Sequence, residues 1–183
     1  RVISGEAKGH KLKTPRGTAT RPTTDRVKES LFNIISGYVS GAEVLDLFSG
    51  SGSLGIEALS RGAKNAVFVD RSLECTGIIK QNLIHTKLIE RAEILNGEVS
   101  KILNRMCSED RTFDIIFMDP PYKKNYLQQT LQIVSHSGII NCNGVIVAER
   151  DINDEIPQIL GSLRLVKDSR YGNTVLSFYT ASS

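Results

Sequence analysis

The sequence predicts an α/β fold with a mostly parallel sheet of seven strands and helices on both faces. From residue 43 onward, short apolar runs alternate with longer stretches of helical periodicity, which is the pattern of repeated βαβ units. Near the C-terminus, two strand-like runs meet at a Gly-Asn pair and predict an antiparallel hairpin. A length of 183 residues, with 40% hydrophobic and 23% charged residues, fits one globular domain.

The individual elements follow from local pattern. Residues 1–15 are expected to form a small β-hairpin, and a helix with cap candidates Thr23, Thr24 and Asp25 is expected to follow. Strands are predicted in the runs EVLDLF (43–48), NAVFVD (65–70), AEILNG (92–97), FDIIFMD (113–119) and GVIVAE (144–149), with two more in the hairpin at 163–180. Helices are predicted near 53–61, 72–86, 99–107 and 125–136.

Positive charge is concentrated at the start of the chain. Residues 1–28 contain eight basic and two acidic residues, although the whole chain carries a net charge of only +3. Such an arm on a mildly acidic body suggests a surface that docks a polyanion, with a solvated basic turn as the alternative. The residues expected to contact nucleic acid are Arg1, Lys8, Lys11, Lys13 and Arg16.

Composition argues against several other classes of protein. No apolar stretch approaches the roughly 20 residues of a membrane span, and the first residues lack the apolar core of a signal peptide. The three cysteines and three histidines show no metal-ligand spacing, so no metal site is expected. These features predict a soluble, cytoplasmic protein without a membrane partner. In the absence of a long exposed apolar stretch, a monomer is expected.

A glycine-rich turn follows the first strand. In VLDLFSGSGSLGIEAL, Gly50, Gly52 and Gly55 form a G-x-G-x-x-G pattern between strand and helix. Glycine there allows a tight turn and lets a ligand approach main-chain N–H groups at the helix start. Taken alone, the pattern fits either a nucleotide cofactor site or a turn that merely joins strand to helix.

Two carboxylates favour the cofactor. Asp70 ends the second strand twenty residues after Gly50, where an acid can accept both hydroxyls of a ribose. Asp46 lies four residues before Gly50, where it is poorly placed for a pyrophosphate but well placed for the ammonium of a methionine moiety. The pair therefore favours S-adenosylmethionine over NAD.

The fourth strand ends in MDPPY. Because proline closes the strand, Asp119, Pro120, Pro121 and Tyr122 are expected at the rim of the sheet, facing the same crevice as Asp46. The Asp119 carboxylate and the Pro120 carbonyl can accept the N–H groups of a ring-bound exocyclic amine, while Tyr122 stacks on the base. The basic hairpin is expected to lie outside this crevice.

These motifs carry a family resemblance. DLFSGSGSLGIEAL, FVDRS and DPPY, in that order, resemble the class I S-adenosylmethionine-dependent amino-methyltransferases. The flanking stretches RVISGEAKGHKLKTP, TRPTTDRVKESLFNII and RYGNTVLSFY are similar to the RsmD family, bacterial enzymes that methylate guanine N2 in 16S ribosomal RNA. The resemblance implies a Rossmann-like core over 25–183 that binds S-adenosylmethionine, preceded by a basic hairpin and loop over 1–24, in one domain. It implies 16S ribosomal RNA or the assembling small subunit as the partner.

The resemblance also implies residue roles. The methionine half of the cofactor would lie against the first glycine turn, the ribose against Asp70, and the adenine against Arg71 and Glu98. Relatives more often have Asp at the position of Glu98. The residues expected to bind the cofactor are Arg21, Thr23, Asp46, Phe48, Ser49, Gly50, Gly52, Asp70, Arg71 and Glu98, and those expected to hold the substrate amine are Asp119, Pro120, Pro121 and Tyr122.

Alternative functions use parts of the same pattern. DPPY also suits adenine N6 or cytosine N4 of DNA or RNA, although a DNA enzyme should carry a further recognition domain. Enzymes that methylate the side-chain amide of glutamine usually have Asn at the position of Asp119. A dinucleotide-dependent oxidoreductase is disfavoured by Asp46 and DPPY, and a catalytically silent RNA-binding module by the complete crevice.

Overall fold

The computed structural model describes residues 1–16, 24–121 and 125–182, which fold around one central sheet. The strands are β1 (Glu43–Leu47), β2 (Asn65–Asp70), β3 (Ala92–Asn96), β4 (Phe113–Met118), β5 (Ile140–Asp151), β6 (Ile159–Leu160), β7 (Leu163–Tyr171) and β8 (Thr174–Ala181). The α-helices are α1 (Asp25–Ile34), α2 (Ser36–Val39), α3 (Ser53–Ser60), α4 (Leu73–His85), α5 (Val99–Ser108) and α6 (Tyr126–Ser137), with a 3₁₀ turn at Ile89–Arg91.

The sheet is parallel in its first five strands and antiparallel beyond them. Its order is β3-β2-β1-β4-β5-β8-β7-β6. Strands β1 to β5 pair in parallel, whereas β8, β7 and β6 each pair antiparallel to the preceding strand in that order. The predicted fold class is therefore confirmed. Chain order reverses between β1 and β4, and in sheets of this kind ligands bind at the carboxyl ends of the strands at such a point.

Apolar layers cover both faces of the sheet. Buried side chains of α1, α3 and α4 pack on one face, and those of α5 and α6 pack on the other. Neighbouring strand residues alternate between the layers, so that Phe117 of β4 faces the first and Met118 the second. The long helices lie where periodicity predicted them, and Thr24 caps α1 by accepting the Val27 N–H at 3.3 Å. None of the described helices combines the length and apolarity needed to cross a membrane.

Two predictions about strands were wrong. Among the described residues the sheet has eight strands, one more than predicted. The additional strand β6 pairs with β7 and is only two residues long, and a run so short has no readable apolar periodicity. Described residues 1–16 contain no strand, so the N-terminal β-hairpin is absent. The chain does reverse there, with the Val2 N–H donating to the His10 carbonyl at 2.9 Å. Its turn bonds to α3 instead, since the Glu6 N–H donates to the Ser60 carbonyl at 2.9 Å.

Candidate active site

The carboxyl ends of β1, β2 and β4 open into one pocket of about 810 Å³. The predicted site residues that line it are Asp46, Phe48, Ser49, Gly50, Asp70, Arg71, Glu98, Asp119 and Pro121. Gly52 and Pro120 are adjacent in the chain to lining residues but do not line the pocket themselves. Arg21, Thr23 and Tyr122 lie outside the described residues.

The glycine turn uses its glycines for two different purposes. Gly50 and Gly52 have φ angles of +58° and +80°, which place them in the left-handed region that favours glycine. Gly55 instead allows close packing, because a Cβ atom there would lie 2.4 Å from a ring carbon of Phe68 on β2. The left-handed glycines thus close the turn, and the missing side chain at Gly55 lets α3 pack closely against β2.

Asp46 is a buried carboxyl group at the end of β1. Its side chain is 3% exposed, and its Oδ2 accepts the Gly55 N–H at 3.0 Å. Burial raises the pKa of Asp46 to about 8; the Gly55 hydrogen bond opposes this shift, and the nearby charge of Asp70 adds to it. A cation bound beside Asp46 would favour its ionised form.

Asp70 organises the neighbouring loop. Its Oδ2 accepts the Gly50 N–H and its Oδ1 accepts the Ser72 N–H, both at 2.9 Å. Ser72 in turn caps α4 by accepting the Cys75 N–H at 3.2 Å. A carboxylate has about four acceptor positions, so two backbone bonds leave Asp70 able to accept ligand hydroxyls.

Asp119 stands at the rim directly after β4. It is half-buried, with Pro120 buried and Pro121 exposed behind it. The carboxyl group of Glu149 lies on the neighbouring strand β5 at the same level, because Met118 is paired with Ala148. Burial, followed by the Glu149 hydrogen bond and charge and then by Asp46, raises the pKa of Asp119 well above its ordinary value.

The N-terminal segment forms a wall of the pocket, so the prediction that it lies outside the crevice was wrong. The wall residues that the sequence did not indicate are Leu12, Thr14 and Pro15, beside Arg1 and Arg16, which were expected only at a nucleic-acid surface. Asn82 of α4 holds the segment: its Oδ1 accepts the Lys13 N–H at 2.8 Å and its Nδ2 donates to the Lys13 carbonyl at 3.0 Å. In the structure Asn82 is 1% exposed. The sequence signal for this attachment is therefore a polar Asn on the side of α4 that faces the core.

A buried lysine joins this segment to two helices. Lys28 of α1 is 1% exposed, lines the pocket, and was missed because it lies on the apolar face of its helix. Its Nζ donates to the Arg1 carbonyl at 2.6 Å and to Ser53 Oγ at 2.9 Å, and lies 3.6 Å from Glu57 Oε1. Burial lowers the pKa of Lys28, and the Glu57 charge opposes this effect.

Glu57 of α3 is the counter-charge and also an anchor for the backbone. It is fully buried and accepts the Ile3 N–H at 2.9 Å and the Ser4 N–H at 3.1 Å. Arg61, one turn along α3, donates its Nε to Glu57 at 2.7 Å. The carboxylate is therefore satisfied on every side, and the first residues of the chain are fixed to α3 by it.

The lysines of the segment face outward, and Arg16 is exposed as well as lining the pocket. Lys8, Lys11, Lys13 and Arg16 are exposed, and the Lys13 Nζ donates to Gln81 Oε1 at 2.9 Å. Their arrangement leaves charged groups beside the pocket mouth. Contact of these residues with nucleic acid stays a prediction.

The pocket wall contributed by α6 was not predicted. Tyr126, Gln129, Thr130 and Ile133 line it, and the Tyr126 ring lies 6.3 Å from the ring of Phe48, measured between centroids. Phe48 has a φ angle of +57°, which is uncommon for a non-glycine residue. Among the described residues, no group of His, Cys, Asp and Glu side chains is arranged to hold a metal ion.

Known proteins resemble the chain over nearly its whole length. YlbH of Bacillus subtilis (strain 168) is 42% identical over 179 residues, which span 98% of this chain and 97% of that protein. Ribosomal RNA small subunit methyltransferase D of Escherichia coli (strain K12) is 30% identical over 179 residues, which span 98% of this chain and 88% of that protein. The solved structure of yhhF from Escherichia coli has a TM-score of 0.87 at 30% identity, covering 100% of this chain and 97% of that one.

The family comparison agrees with these relatives. The family described as "Conserved hypothetical protein 95" matches residues 1–180. This range includes the glycine turn, both strand-end carboxylates and the rim at Asp119. The chain therefore belongs to the conserved hypothetical protein 95 family, which is the RsmD family that its motifs resemble.

Proposed function

We propose that this protein is an S-adenosylmethionine-dependent methyltransferase that modifies the exocyclic N2 amine of a guanine in 16S ribosomal RNA. The convergence of Asp46, the glycine turn, Asp70 and the Asp119 rim in one pocket carries this proposal. The family, together with a relative named as a small-subunit ribosomal RNA methyltransferase, supports the substrate class.

The described residues fit S-adenosylmethionine. A pocket of about 810 Å³ is within the usual range for a small-molecule site. Asp46 would face the ammonium of the methionine moiety, Asp70 the ribose hydroxyls, and Arg71 with Glu98 the adenine. When bound, the cofactor supplies an electrophilic methyl group on a positively charged sulfur.

The rim residues orient the amine that receives the methyl group. An exocyclic amine on guanine is a poor nucleophile because its lone pair is delocalised into the ring. The Asp119 carboxyl and the Pro120 carbonyl accept its two N–H groups and leave the lone pair facing the pocket. Stacking of Tyr122, which lies outside the described residues, on the base stays a prediction. Positioning of this kind supplies much of the rate of a transfer reaction.

The exposed basic residues would contact the RNA substrate. Arg1, Lys8, Lys11, Lys13 and Arg16 lie on one segment beside the pocket, where they would neutralise phosphates of 16S ribosomal RNA or of the assembling small subunit. In this proposal residues 1–24 and the cofactor-binding core over 25–183 act as one methyltransferase domain. It works as a cytoplasmic monomer without a metal.

Product analysis tests the proposal directly. The protein is incubated with radiolabelled methyl donor and with 16S RNA, or small subunits, from cells that lack the modification, and the RNA is digested to nucleosides. We expect the label in N2-methylguanosine. Label in N6-methyladenosine or N4-methylcytidine would instead support the alternative amino-methyltransferase, and label in protein would exclude an RNA acceptor.

Substitution of Asp119 tests the site. Asp119→Ala should lower turnover about 100-fold or more, because it removes a contact that orients the amine in the transition state. Binding of S-adenosylhomocysteine, measured by calorimetry, should change by less than about threefold, since the cofactor contacts remain. Glu155→Ala, which removes an exposed carboxylate outside the pocket, is the matched control. Near-normal turnover of Asp119→Ala would mean that another residue orients the substrate amine.

A further inference from the structure

The order of the strands places a second carboxyl group behind Asp119. Strands β4 and β5 are parallel neighbours, with Met118 opposite Ala148. Asp119 and Glu149 follow these two residues directly, so they leave adjacent strands at the same level. Phe117 and Val147, two residues earlier, face the same apolar layer, which places both carboxyl groups on one side of the sheet.

Glu149 lies beside Asp119 on the neighbouring strand but does not line the pocket. On its other side it is paired with Leu176 of β8, a residue that is 1% exposed. Asp119 lines the pocket and Glu149 does not. A hydrogen bond between two carboxyl groups placed in this way requires a proton, because two ionised carboxylates have no donor to offer.

We propose that Glu149 is a positioning residue for methyl transfer: it shares one proton with Asp119 and so fixes the Asp119 carboxyl with its other oxygen toward the substrate amine. The inference rests on the proposed function and extends it to a residue that the pocket does not contain. Neighbouring carboxyl groups that share a proton are a known device for holding one of them in a defined protonation state.

The pair also has a place for the proton that the reaction releases. The amine nitrogen forms a bond to the methyl carbon, the carbon–sulfur bond breaks with its electron pair staying on sulfur, and the nitrogen is left with one surplus proton. The pair, which carries one negative charge, takes up that proton at the free oxygen of Asp119 and becomes neutral. The proton then passes to solvent, which restores the starting state.

Several other charged groups line the pocket that contains Asp119. From β1 the Asp46 carboxyl adds to the repulsion that raises the pKa of Asp119, and from α1 the Lys28 ammonium lines the same pocket. The other charged residues that line the pocket are Arg1, Arg16, Asp70, Arg71, Glu74 and Glu98. A test must therefore change Glu149 without moving these groups, and Glu149→Gln does so because it keeps the size and a donor N–H.

Unfolding of the ligand-free protein tests the shared proton. Because the folded-state pKa of Asp119 is raised, its contribution to stability is fully present below the unfolded pKa near 4 and is lost as pH rises through the folded value. Glu149→Gln removes the repelling charge, so its stability should fall less with rising pH than that of the wild type. Glu155→Gln, which makes the same change on an exposed side chain, should follow the wild-type curve. Identical pH curves for Glu149→Gln and the wild type would overturn the proposal.

Kinetics test the positioning role. Glu149→Ala should lower kcat about tenfold or more, while the RNA KM and the S-adenosylhomocysteine affinity stay near wild type. Glu149→Gln should keep most of the neutral-pH rate and, unlike the wild type, keep it at alkaline pH, because its amide N–H does not titrate. Wild-type kcat in Glu149→Ala, or a parallel loss of cofactor affinity, would contradict a positioning role. If the wild type produces no N2-methylguanosine, the proposed function fails, and the unfolding curves still decide whether the pair shares a proton.

Discussion

The buried carboxyl of Asp46 should make cofactor binding depend strongly on pH. The pKa of Asp46 is about 8 in the ligand-free protein, so the group is mostly protonated at neutral pH. The ammonium of the bound methionine moiety interacts favourably only with the ionised form. Binding must therefore remove a proton from Asp46, and the free energy of that ionisation is subtracted from the affinity.

The size of this pH effect on cofactor affinity follows from the pKa of Asp46. With a value of about 8, roughly one molecule in ten is ionised near pH 7, which costs about 1.4 kcal/mol of binding free energy. The dissociation constant of S-adenosylhomocysteine should fall about tenfold between roughly pH 6 and 7, and the change should level off above about pH 8. Close to one proton should leave Asp46 for each ligand bound near pH 7.

Calorimetry in two buffers with different ionisation enthalpies measures the dissociation constant and the number of protons released in one set of titrations. The wild type should show buffer-dependent heats that correspond to proton release, whereas Asp46→Asn should bind more weakly and release no proton from this site. The ligand-free wild type should also lose stability as pH rises through about 8, because the raised pKa favours the protonated folded state. A dissociation constant that is constant between about pH 6 and 8, with no proton release, would refute the reasoning.

Three further predictions concern the N-terminal segment. Gly5→Ala should cost about 2 to 3 kcal/mol in urea unfolding, because its φ is +89° and a Cβ would lie 1.9 Å from a carbonyl oxygen of α3. Glu57→Ala should cost about 3 to 5 kcal/mol in the same assay, since it leaves a buried ammonium without its counter-charge. Replacing Lys8 and Lys11 with Ala should reduce the salt dependence of RNA binding by up to about 1.4 units of slope, at roughly 0.7 per phosphate, with unchanged cofactor affinity.

Each of these three has a control or a contrary outcome. Gly9→Ala has a similar φ of +88° but no atom within 4 Å of the added Cβ, so it should cost only about 1 kcal/mol. Equal losses at Gly5 and Gly9 would mean that the contact with α3 is unimportant. A loss below about 1 kcal/mol for Glu57→Ala would contradict the anchoring role of this carboxylate. An unchanged salt slope in the double lysine variant would return the segment to a solvated basic turn.

The sequence by itself determined the elements and the local geometry of the site. Strand and helix positions follow from apolar periodicity, which depends only on neighbours along the chain. Asp46, Gly50 and Asp70 were identified because each is at the end of a strand or in the turn after it, and parallel strands bring their carboxyl ends to one edge. These relations follow from short spacing and from a general rule of the fold.

The tertiary structure decided the contacts between distant parts of the chain. Asn82 holds Lys13 from 69 positions away, and this attachment turned an expected outer arm into a wall of the pocket. Asp119 meets Glu149 because β4 and β5 are neighbours in one particular register, which apolar periodicity within each strand does not encode. Lys28 looked like an ordinary charge in an amphipathic helix until packing placed it beside Glu57. Such pairs depend on which faces meet in the folded chain. Burial then raises the pKa of Asp119 and lowers that of Lys28, which no isolated segment would do.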